Sequence, residues 1–318
     1  MSVVTVIGLA LALMLGLVLV SLVVEAFRPA PPIPEKLGWA PDVPIRHTAA
    51  HGHRLRYVTT GRGPSLVLLH TLRTQLDIFQ KVIPPLAQRF TVFAPDLPGH
   101  GYSDIPKVDY EPELFVDSVA GFLDELDIRD ATVAGISIGG TIALLLAARH
   151  NPRVQRVVAI NPYDYGRGSG VRRSSPVANL IFGLARIPVL GDTVMRLRNR
   201  MVERPIFRGG VAQPEAIPAP FLEELYRVGT RPGHYKAFLS LLRHGPKWDQ
   251  AHARYPEIRA PVLLVYGERD WSRPDEREAT LRDIPGAKLH SVAGGGHFLS
   301  LDRPHEVERL ITQFAGPT

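Results

Sequence analysis

Apolar residues are distributed along this chain in three different ways. The stretch from residue 3 to residue 24 is continuously apolar and has no charged side chain. From about residue 45, short apolar runs alternate with amphipathic stretches, but this alternation stops between residues 163 and 258, where helical patches lie among prolines, glycines and arginines. The pattern predicts an N-terminal helix, an α/β body and a segment inserted into that body.

The N-terminal stretch is long enough to cross a membrane. As a helix, residues 3–24 would reach about 33 Å, and a hydrocarbon core is about 30 Å thick. A secretory signal and a buried core helix are the competing interpretations, but the apolar part of a signal is shorter and follows a basic start. We therefore predict an uncleaved anchor over residues 1–28. The positive-inside rule, applied to Arg28, Lys36 and Arg46, places the following domain in the cytoplasm.

Residues 29–44 predict a spacer between this anchor and the body. The sequence PAPPIP at 29–34 contains four prolines, which favour a stiff, extended chain. We expect the spacer to hold the body just off the bilayer.

The body reads as alternating strands and helices. Strands are predicted at 55–59, 66–70, 90–94, 132–135, 154–160, 262–266 and 288–292, and helices at 112–126, 140–149, 275–281 and 305–314. This order predicts a mostly parallel sheet with helices on both faces, formed by residues 45–162 and 259–318.

Residues 163–258 are too many for an ordinary connection between a strand and the next strand. Helical patterns recur at 176–185, 193–202, 221–228 and 234–243. We predict that this insertion forms a helical cap over the carboxyl edge of the sheet.

The strongest chemical signal is GISIGG at 135–140, a G-x-S-x-G sequence between a predicted strand and a predicted helix. This is the context that the motif requires. Ser137 would occupy a strained turn that directs its hydroxyl away from the sheet, and side chains two positions before and after it would clash. Gly135 and Gly139 meet that requirement, so Ser137 is the predicted nucleophile.

A serine hydroxyl needs a base to remove its proton, and in this arrangement the chain order is serine, acid, histidine. Asp270 follows the predicted strand 262–266, and His297 follows a run of three glycines after the strand 288–292. Asp270 would accept the imidazole N–H, fix the tautomer and stabilise the imidazolium.

Other carboxylates and histidines compete for these roles. Glu268, in the same turn as Asp270, and Asp275, which fits a helix cap, are the rival acids. Asp96 ends an earlier strand and is interpreted as structural, and His100 and His150 fit loop and helix-end positions.

An oxyanion hole needs two N–H donors directed at the developing charge. The N–H of Ile138, directly after the nucleophile, is one candidate. The second should come from the loop after the strand 66–70, where we predict the N–H of Leu72.

Composition narrows the chemistry further. The chain has no cysteine, which excludes disulfides, thiolate catalysis and cysteine-based zinc sites.

The net charge of +6 is spread along the chain, with one concentration at 172–208. The chain lacks the basic stripe with interleaved aromatics that is typical of a nucleic-acid binder. A solvated basic surface is the favoured interpretation, and attraction to an anionic membrane is the alternative.

Over residues 45–316 the chain resembles the α/β-hydrolase superfamily, in particular its capped esterases and lipase-like members. The matching pieces are LVLLH at 66–70, FAPDLPGHGYSD at 93–104, VAGISIGG at 133–140, PVLLVYGERD at 261–270 and GGGHFLSLDRPHEV at 294–307. The resemblance implies a Ser–Asp–His triad, no metal or organic cofactor, and a structural loop at 96–104.

One departure from the family affects the oxyanion loop. The family usually has His-Gly where this chain has His70-Thr71, and threonine resists backbone geometries that glycine permits. Thr71 could offer its hydroxyl as an extra donor. Arg73 could pair with a substrate carboxylate, against the alternative of a solvated surface arginine.

A serine nucleophile also distinguishes this chain from haloalkane dehalogenases and epoxide hydrolases, whose nucleophile on this fold is a carboxylate. We predict a serine esterase or lipase-like hydrolase acting on a carboxylic ester, thioester or lactone, with a small or lipid-like acyl substrate. The alternatives are an acyltransferase, a carbon–carbon bond hydrolase, a cofactor-free perhydrolase and a non-catalytic binding protein.

The cap edge at 180–200 either touches anionic lipid or packs on the core as an ordinary amphipathic helix.

Overall fold

The computed structural model describes residues 1–316, except for the side chains of Arg167 and Val202. The strands are β1 (Ile45–Ala50), β2 (His53–Thr60), β3 (Ser65–Leu69), β4 (Thr91–Pro95), β5 (Ala131–Ile136), β6 (Val154–Ile160), β7 (Val262–Gly267) and β8 (Lys288–Val292). The helices are α1 (Val3–Ala26), α2 (Ile83–Leu86), α3 (Pro112–Glu125), α4 (Ile138–Ala148), α5 (Pro176–Ala185), α6 (Leu190–Arg196), α7 (Arg200–Arg208), α8 (Ala219–Gly229), α9 (His234–Arg243), α10 (Gly245–Asp249), α11 (Pro274–Asp283), α12 (Leu299–Asp302) and α13 (Pro304–Ala315).

The strands form one eight-stranded sheet in the order β1-β2-β4-β3-β5-β6-β7-β8. Pairing is antiparallel between β1 and β2 and between β2 and β4, and parallel in the remaining pairs. The predicted, mostly parallel sheet is therefore confirmed. The sequence did not predict β1 separately, because its residues IRHTAA lack a clear apolar alternation and pair at the edge of the sheet.

Helices cover both faces of this sheet because its central strands are buried on both sides. Every residue of β5 and of β7 is buried, as continuous apolar runs predict. Two apolar clusters result, one containing the fully buried α4 and the other containing α12 and most of the apolar face of α13. The carboxyl ends of the parallel strands then meet at one edge, where the site is built.

Helices α5 to α10 lie between β6 and β7, in the segment predicted as a cap. The single helix predicted at 193–202 is wrong, because the structure has α6 and α7 with a break at 197–199. At this break Arg198 donates to the carbonyl of Met195 and to that of Gly229 on α8. The contact with Gly229 comes from another part of the chain, so local periodicity did not reveal the break.

The region after α1 differs from the expected stand-off spacer. Leu37 is buried, and Trp39 Nε1 donates to Asp77 Oδ1 of the body at 2.8 Å, so the second half of the predicted spacer packs on the body. The last turns of α1 contact α6 of the cap. The apolar segment and the body are therefore in direct contact.

By length and composition α1 is able to cross a membrane, a property that signal sequences share.

Candidate active site

Ser137 sits on the turn between β5 and α4 with φ 56° and ψ −118°, a conformation that side chains rarely adopt. Neighbouring glycines make room for this turn. A Cβ on Gly135 would lie 2.2 Å from the backbone of Gly139, and a Cβ on Gly139 would lie 2.2 Å from the carbonyl oxygen of Leu69. The requirement for glycine at both positions therefore has a direct steric cause.

His297 and Asp270, predicted as base and acid, are brought together at the ends of β8 and β7. His297 Nδ1 donates to Asp270 Oδ1 at 2.5 Å, and both side chains are buried. The other carboxylate oxygen of Asp270 accepts the N–H of Ser272 at 2.9 Å and its hydroxyl as well. The carboxylate is thus held on both oxygens, and the imidazole is held in one tautomer.

The electrostatics of Asp270 keep its carboxylate charged. Burial alone raises its pKa, but the opposing charge of His297 and hydrogen bonds from His297 and Ser272 outweigh burial, so the pKa lies below its ordinary value. The rival acids are placed elsewhere. Glu268 accepts the N–H of Gly294, and Asp275 lies in the first turn of α11.

The other ring nitrogen of His297 is free among the residues that the structure describes. Nε2 is buried and has no hydrogen-bond partner there. His297 and Ser137 both line one cavity of about 260 Å³. Nε2 of His297 is therefore free to accept a proton in the cavity that Ser137 also lines. The catalytic roles of the three residues remain predictions.

Asn161, at the end of β6, is a residue that sequence reasoning missed. Its side-chain oxygen accepts the N–H of Gly267 at 2.9 Å, and its amide donates to the carbonyls of Gly296 and His297 at 3.1 and 2.8 Å. It therefore ties the strand before the acid to the loop of the base. Its φ of 46° lies in the left-handed region that asparagine tolerates, and an Asn directly after a buried strand was the available signal.

Two further side chains fix the histidine loop. Trp271 stacks on the imidazole of His297, with ring centroids 3.7 Å apart and an interplanar angle of 13°. Asp302 accepts the N–H of Gly296 at 2.7 Å and that of Ala212, in the cap, at 3.0 Å. An aromatic residue directly after the acid was visible in the sequence, but its partner was not.

The predicted oxyanion donors lie near the serine. Ile138 is the first residue of α4, where a backbone N–H has no acceptor within the helix. Leu72 lies in the loop after β3 and lines the cavity. The N–H of Thr71 donates to the Thr74 hydroxyl at 3.2 Å, so this backbone donor is occupied. The role of the Leu72 N–H as the second oxyanion donor remains a prediction.

Arg73 agrees with only part of what was expected of it. It is not a solvated surface arginine, because its side chain is 10% exposed and its guanidinium donates to Glu203 of the cap. A second guanidinium nitrogen lies 3.2 Å from His234 Nδ1, and the group sits over the ring of Phe238. Arg73 lines the cavity as predicted. Since Glu203 neutralises its charge, a substrate carboxylate would have to compete for it.

Asp96 has the structural role that was expected. It is fully buried and accepts from Arg56 Nε at 2.5 Å and from the N–H groups of Leu76 and Tyr102 at 2.9 and 2.8 Å. Burial raises its pKa, but Arg56, His70 and the N–H of Leu76 together outweigh burial, so the net pKa lies below its usual value. The carboxylate organises the loop 96–104 and is not available as a catalytic acid.

The histidines beside the oxyanion loop are neutral. Burial lowers the pKa of His100 to about 3, and it also lowers the pKa of His70 and of His234. His70 Nε2 accepts the N–H of Leu97 at 2.8 Å. These rings shape the loop, whereas His297 has an unpaired ring nitrogen and lines the cavity with Ser137.

The cavity walls are mostly apolar. Its floor is formed by Ser137, His297 and Leu72, and its roof by cap side chains. Those of the cap are Val171, Ile181, Phe182, Val194, Met195, Leu197, Arg198, Glu203, Ile206, Phe207 and Phe238. A mostly apolar roof suits an uncharged, lipophilic ligand.

This sheet order, the nucleophile turn and the inserted cap define the class of protein. Residues 64–304 match the family model described as alpha/beta hydrolase fold, and the chain belongs to that family.

Relatives in the family carry out several hydrolytic reactions. The chain is 30% identical to 2-hydroxymuconate semialdehyde hydrolase of Pseudomonas sp. (strain CF600), over 85% of this chain and 93% of that protein. It is 32% identical to a haloalkane dehalogenase of Mycobacterium marinum, over 81% and 88% of the two chains. The crystal structure of Cfl2 from Burkholderia cenocepacia superposes with a TM-score of 0.77 at 24% identity, covering 88% of this chain and 98% of that one. These likenesses support a hydrolase without selecting the bond.

Proposed function

We propose that this protein is a membrane-anchored serine hydrolase that cleaves a carboxylic ester, thioester or lactone through an acyl-enzyme on Ser137. One observation carries the proposal. The buried His297–Asp270 pair leaves Nε2 of His297 without a partner, in the wall of the cavity that also contains Ser137. This is the arrangement that activates a hydroxyl for acyl transfer.

The reaction proceeds in two halves. His297 Nε2 takes the proton of Ser137 as Oγ attacks the substrate carbonyl, and Asp270 stabilises the imidazolium. The N–H groups of Ile138 and Leu72 stabilise the charge that develops on the carbonyl oxygen. His297 then gives the proton to the leaving alcohol or thiol, and water repeats the sequence to release the acid.

Replacing the nucleophile tests this proposal. In Ser137→Ala, kcat for p-nitrophenyl esters should fall by about 10³-fold or more, because the acyl-enzyme cannot form. Ser291→Ala, at an exposed position of β8, is the matched control and should keep full activity. A screen across acyl chain lengths defines the substrate class, and unchanged turnover in Ser137→Ala would refute the mechanism.

Carbon–carbon bond hydrolysis is a second candidate, supported by the likeness to 2-hydroxymuconate semialdehyde hydrolase. Against it stands the Arg73–Glu203 pair, which occupies the guanidinium expected to bind an acidic substrate. Turnover of 2-hydroxymuconate semialdehyde faster than of p-nitrophenyl esters would favour this candidate.

The remaining alternatives are separated by two further measurements. An acyltransferase would form new ester from an added alcohol in proportion to its concentration. A non-catalytic binding protein would not react with a fluorophosphonate probe, whereas we expect that probe to label Ser137.

The anchoring part of the proposal rests on α1, which is apolar and projects from the body. We propose a single-pass anchor with the catalytic domain in the cytoplasm. An intact N-terminus on the membrane-extracted protein, and protection of the body from protease added outside intact cells, are the expected results.

A further inference from the structure

We propose that the cap surface formed by Leu180, Ile187 and Val189, here called the cap ridge, inserts into the bilayer surface beside α1. The substrate would then be a lipophilic ester that enters the cavity from the membrane. This inference rests on the proposed hydrolase function and on retention of α1.

The contact between α1 and the cap extends back along α1 from its carboxyl end, and this is the first observation that supports the proposal. Val18, Ser21 and Glu25 share one face of α1 and are the residues of that helix shielded from solvent, with Ser21 fully buried. At 1.5 Å per residue, Ser21 lies about 8 Å inside the end of α1. Amphipathic surfaces enter a bilayer to about 5–10 Å. If α1 spans the membrane, α6 is therefore drawn to the boundary between headgroups and acyl chains.

Polar contacts fix this arrangement. Arg198 Nη1 and Nη2 donate to Glu25 at 2.8 and 3.2 Å, and Arg28 Nη2 donates to the carbonyl of Arg196 at 2.6 Å. The Arg198 side chain is only 4% exposed. The cap is thus joined to the end of the anchor by a nearly buried ion pair, so the two should move together.

The cap ridge has no cover within the described residues. Leu180, Ile187 and Val189 are 62%, 49% and 60% exposed. Val189 also has φ 64°, which is unfavourable for a β-branched residue. This strained turn holds the apolar side chain of Val189 away from the body. A contact between that side chain and lipid would explain why the chain adopts it.

Charge around the cap ridge fits a phospholipid surface. Helix α7, which contacts α5, exposes Arg204 and Arg208, whereas its exposed Arg200 is paired with Glu223 of α8. The one acidic side chain of α7, Glu203, is buried and paired with Arg73. Basic groups beside an apolar surface are attracted to anionic headgroups.

The cavity and the cap ridge are both built from the segment formed by α5, α6 and the connection between them. Ile181 on α5 and Val194 on α6 line the cavity and are half-buried, while Leu180 and Val189 lie on the outer side. Helices α5 and α6 are therefore the elements that lie between the bilayer surface and the cavity that Ser137 lines.

Membrane depth is measured on the full chain in vesicles of phosphatidylcholine and phosphatidylglycerol. Because the protein has no cysteine, Leu180→Cys and Val189→Cys each accept one environment-sensitive dye. Arg129→Cys, before β5 at the amino ends of the strands and with a 72% exposed side chain, is the control. Dyes at 180 and 189 should shift to the blue and be quenched by lipids with nitroxide-labelled acyl chains. A dye at 189 that behaves like the one at 129 overturns the proposal.

Substrate entry is measured with Val189→Asp, a residue type that tolerates the left-handed backbone better than valine does. Turnover of p-nitrophenyl palmitate in the bilayer should fall about tenfold, because a charge opposes insertion. Turnover of soluble p-nitrophenyl acetate should not change, and Leu289→Asp on β8 should leave both rates unchanged. Equal rates with palmitate in Val189→Asp and wild type would overturn the proposal.

These outcomes are separable from failure of the proposed function. If the wild type hydrolyses p-nitrophenyl acetate but the dyes at 180 and 189 stay in water, the hydrolase survives and the cap ridge proposal fails. If neither ester is hydrolysed, the function itself fails. A mature protein lacking α1 removes the basis of the cap ridge proposal alone.

Discussion

At the scale of single residues, the candidate site combines one serine on a strained turn with side chains that hold His297 in place. Ser137 depends on Gly135 and Gly139 for space, and His297 is held on four sides by Asp270, Trp271, Asn161 and the Asp302-bound loop. Asn161 touches no substrate position, so it is a positioning residue, and its effect should appear in the behaviour of the imidazole.

Asn161→Asp should lower kcat about 10–100-fold with little change in KM. Aspartate keeps the acceptor for Gly267 N–H and tolerates the left-handed backbone, but it loses the donor to the carbonyls of Gly296 and His297. The acidic limb of the kcat–pH profile should also move, since His297 shifts relative to Asp270. Asn151→Asp, where a carboxylate can still accept from Arg153 N–H, is the control. A normal pH profile in Asn161→Asp would assign Asn161 to stability alone.

Asp164 predicts a pH-dependent stability. Burial raises its pKa to about 6 from an ordinary value of 3.8, although His252 and Tyr255 favour its charged form. The unfolded chain releases this proton near pH 4 and the folded chain near pH 6, so stability falls as pH rises through that window. The loss is about 3 kcal/mol, because each pKa unit is about 1.4 kcal/mol.

Asp164→Asn should remove this loss. Relative to wild type, its free energy of unfolding should increase by about 3 kcal/mol between pH 4 and pH 7, as measured by urea denaturation. Asp117→Asn, at a partly exposed position on α3, should show no such trend. A constant difference between variant and wild type across the pH range would contradict the assignment.

At the scale of elements, the strand–turn–helix of β5 and α4 lies against the end of β3. The backbone of Gly139 is so close to Leu69 and His70 that a methyl group there would displace the oxyanion loop. The predicted Leu72 donor therefore depends on a glycine in another element.

Gly139→Ala should reduce the free energy of unfolding by about 3 kcal/mol, because the added Cβ meets rigid backbone. Gly183→Ala, on α5, is the matched control, since its Cβ would meet only the Arg172 side chain at 3.6 Å. That change should stabilise by about 0.5–1 kcal/mol through helix propensity. Equal stability of the two variants in thermal and urea unfolding would refute the steric account.

At the scale of the whole molecule, polar contacts connect α1, the cap and the loops of the candidate site. Glu25 of α1 pairs with Arg198, which lines the cavity. Arg73 of the oxyanion loop pairs with Glu203 of α7, and Asp302 joins the histidine loop to Ala212 of the cap. The position of the cap is therefore set by contacts with α1 and by contacts with the loops of the candidate site together.

Glu25→Gln should loosen α6, because it leaves the nearly buried Arg198 without its carboxylate. Amide hydrogen exchange in α6 should accelerate about tenfold in the full chain, while exchange in β5 and α4 stays unchanged. Glu35→Gln, at an exposed position of the spacer, should change neither region. Unchanged exchange in α6 would show that the ion pair does not hold the cap.

The mostly parallel sheet follows from the amino-acid sequence alone, because strand periodicity and the motif order are local properties. The sequence also located Ser137, Asp270 and His297, since each lies at the end of a recognisable strand, and the structure places Asp270 and His297 within hydrogen-bond distance. Three features became apparent only in the folded protein. They are the break between α6 and α7, the contacts that position the imidazole, and the burial of Arg73 against Glu203. Those outcomes depend on contacts between residues far apart in the chain, and neither periodicity nor composition carries information about such contacts.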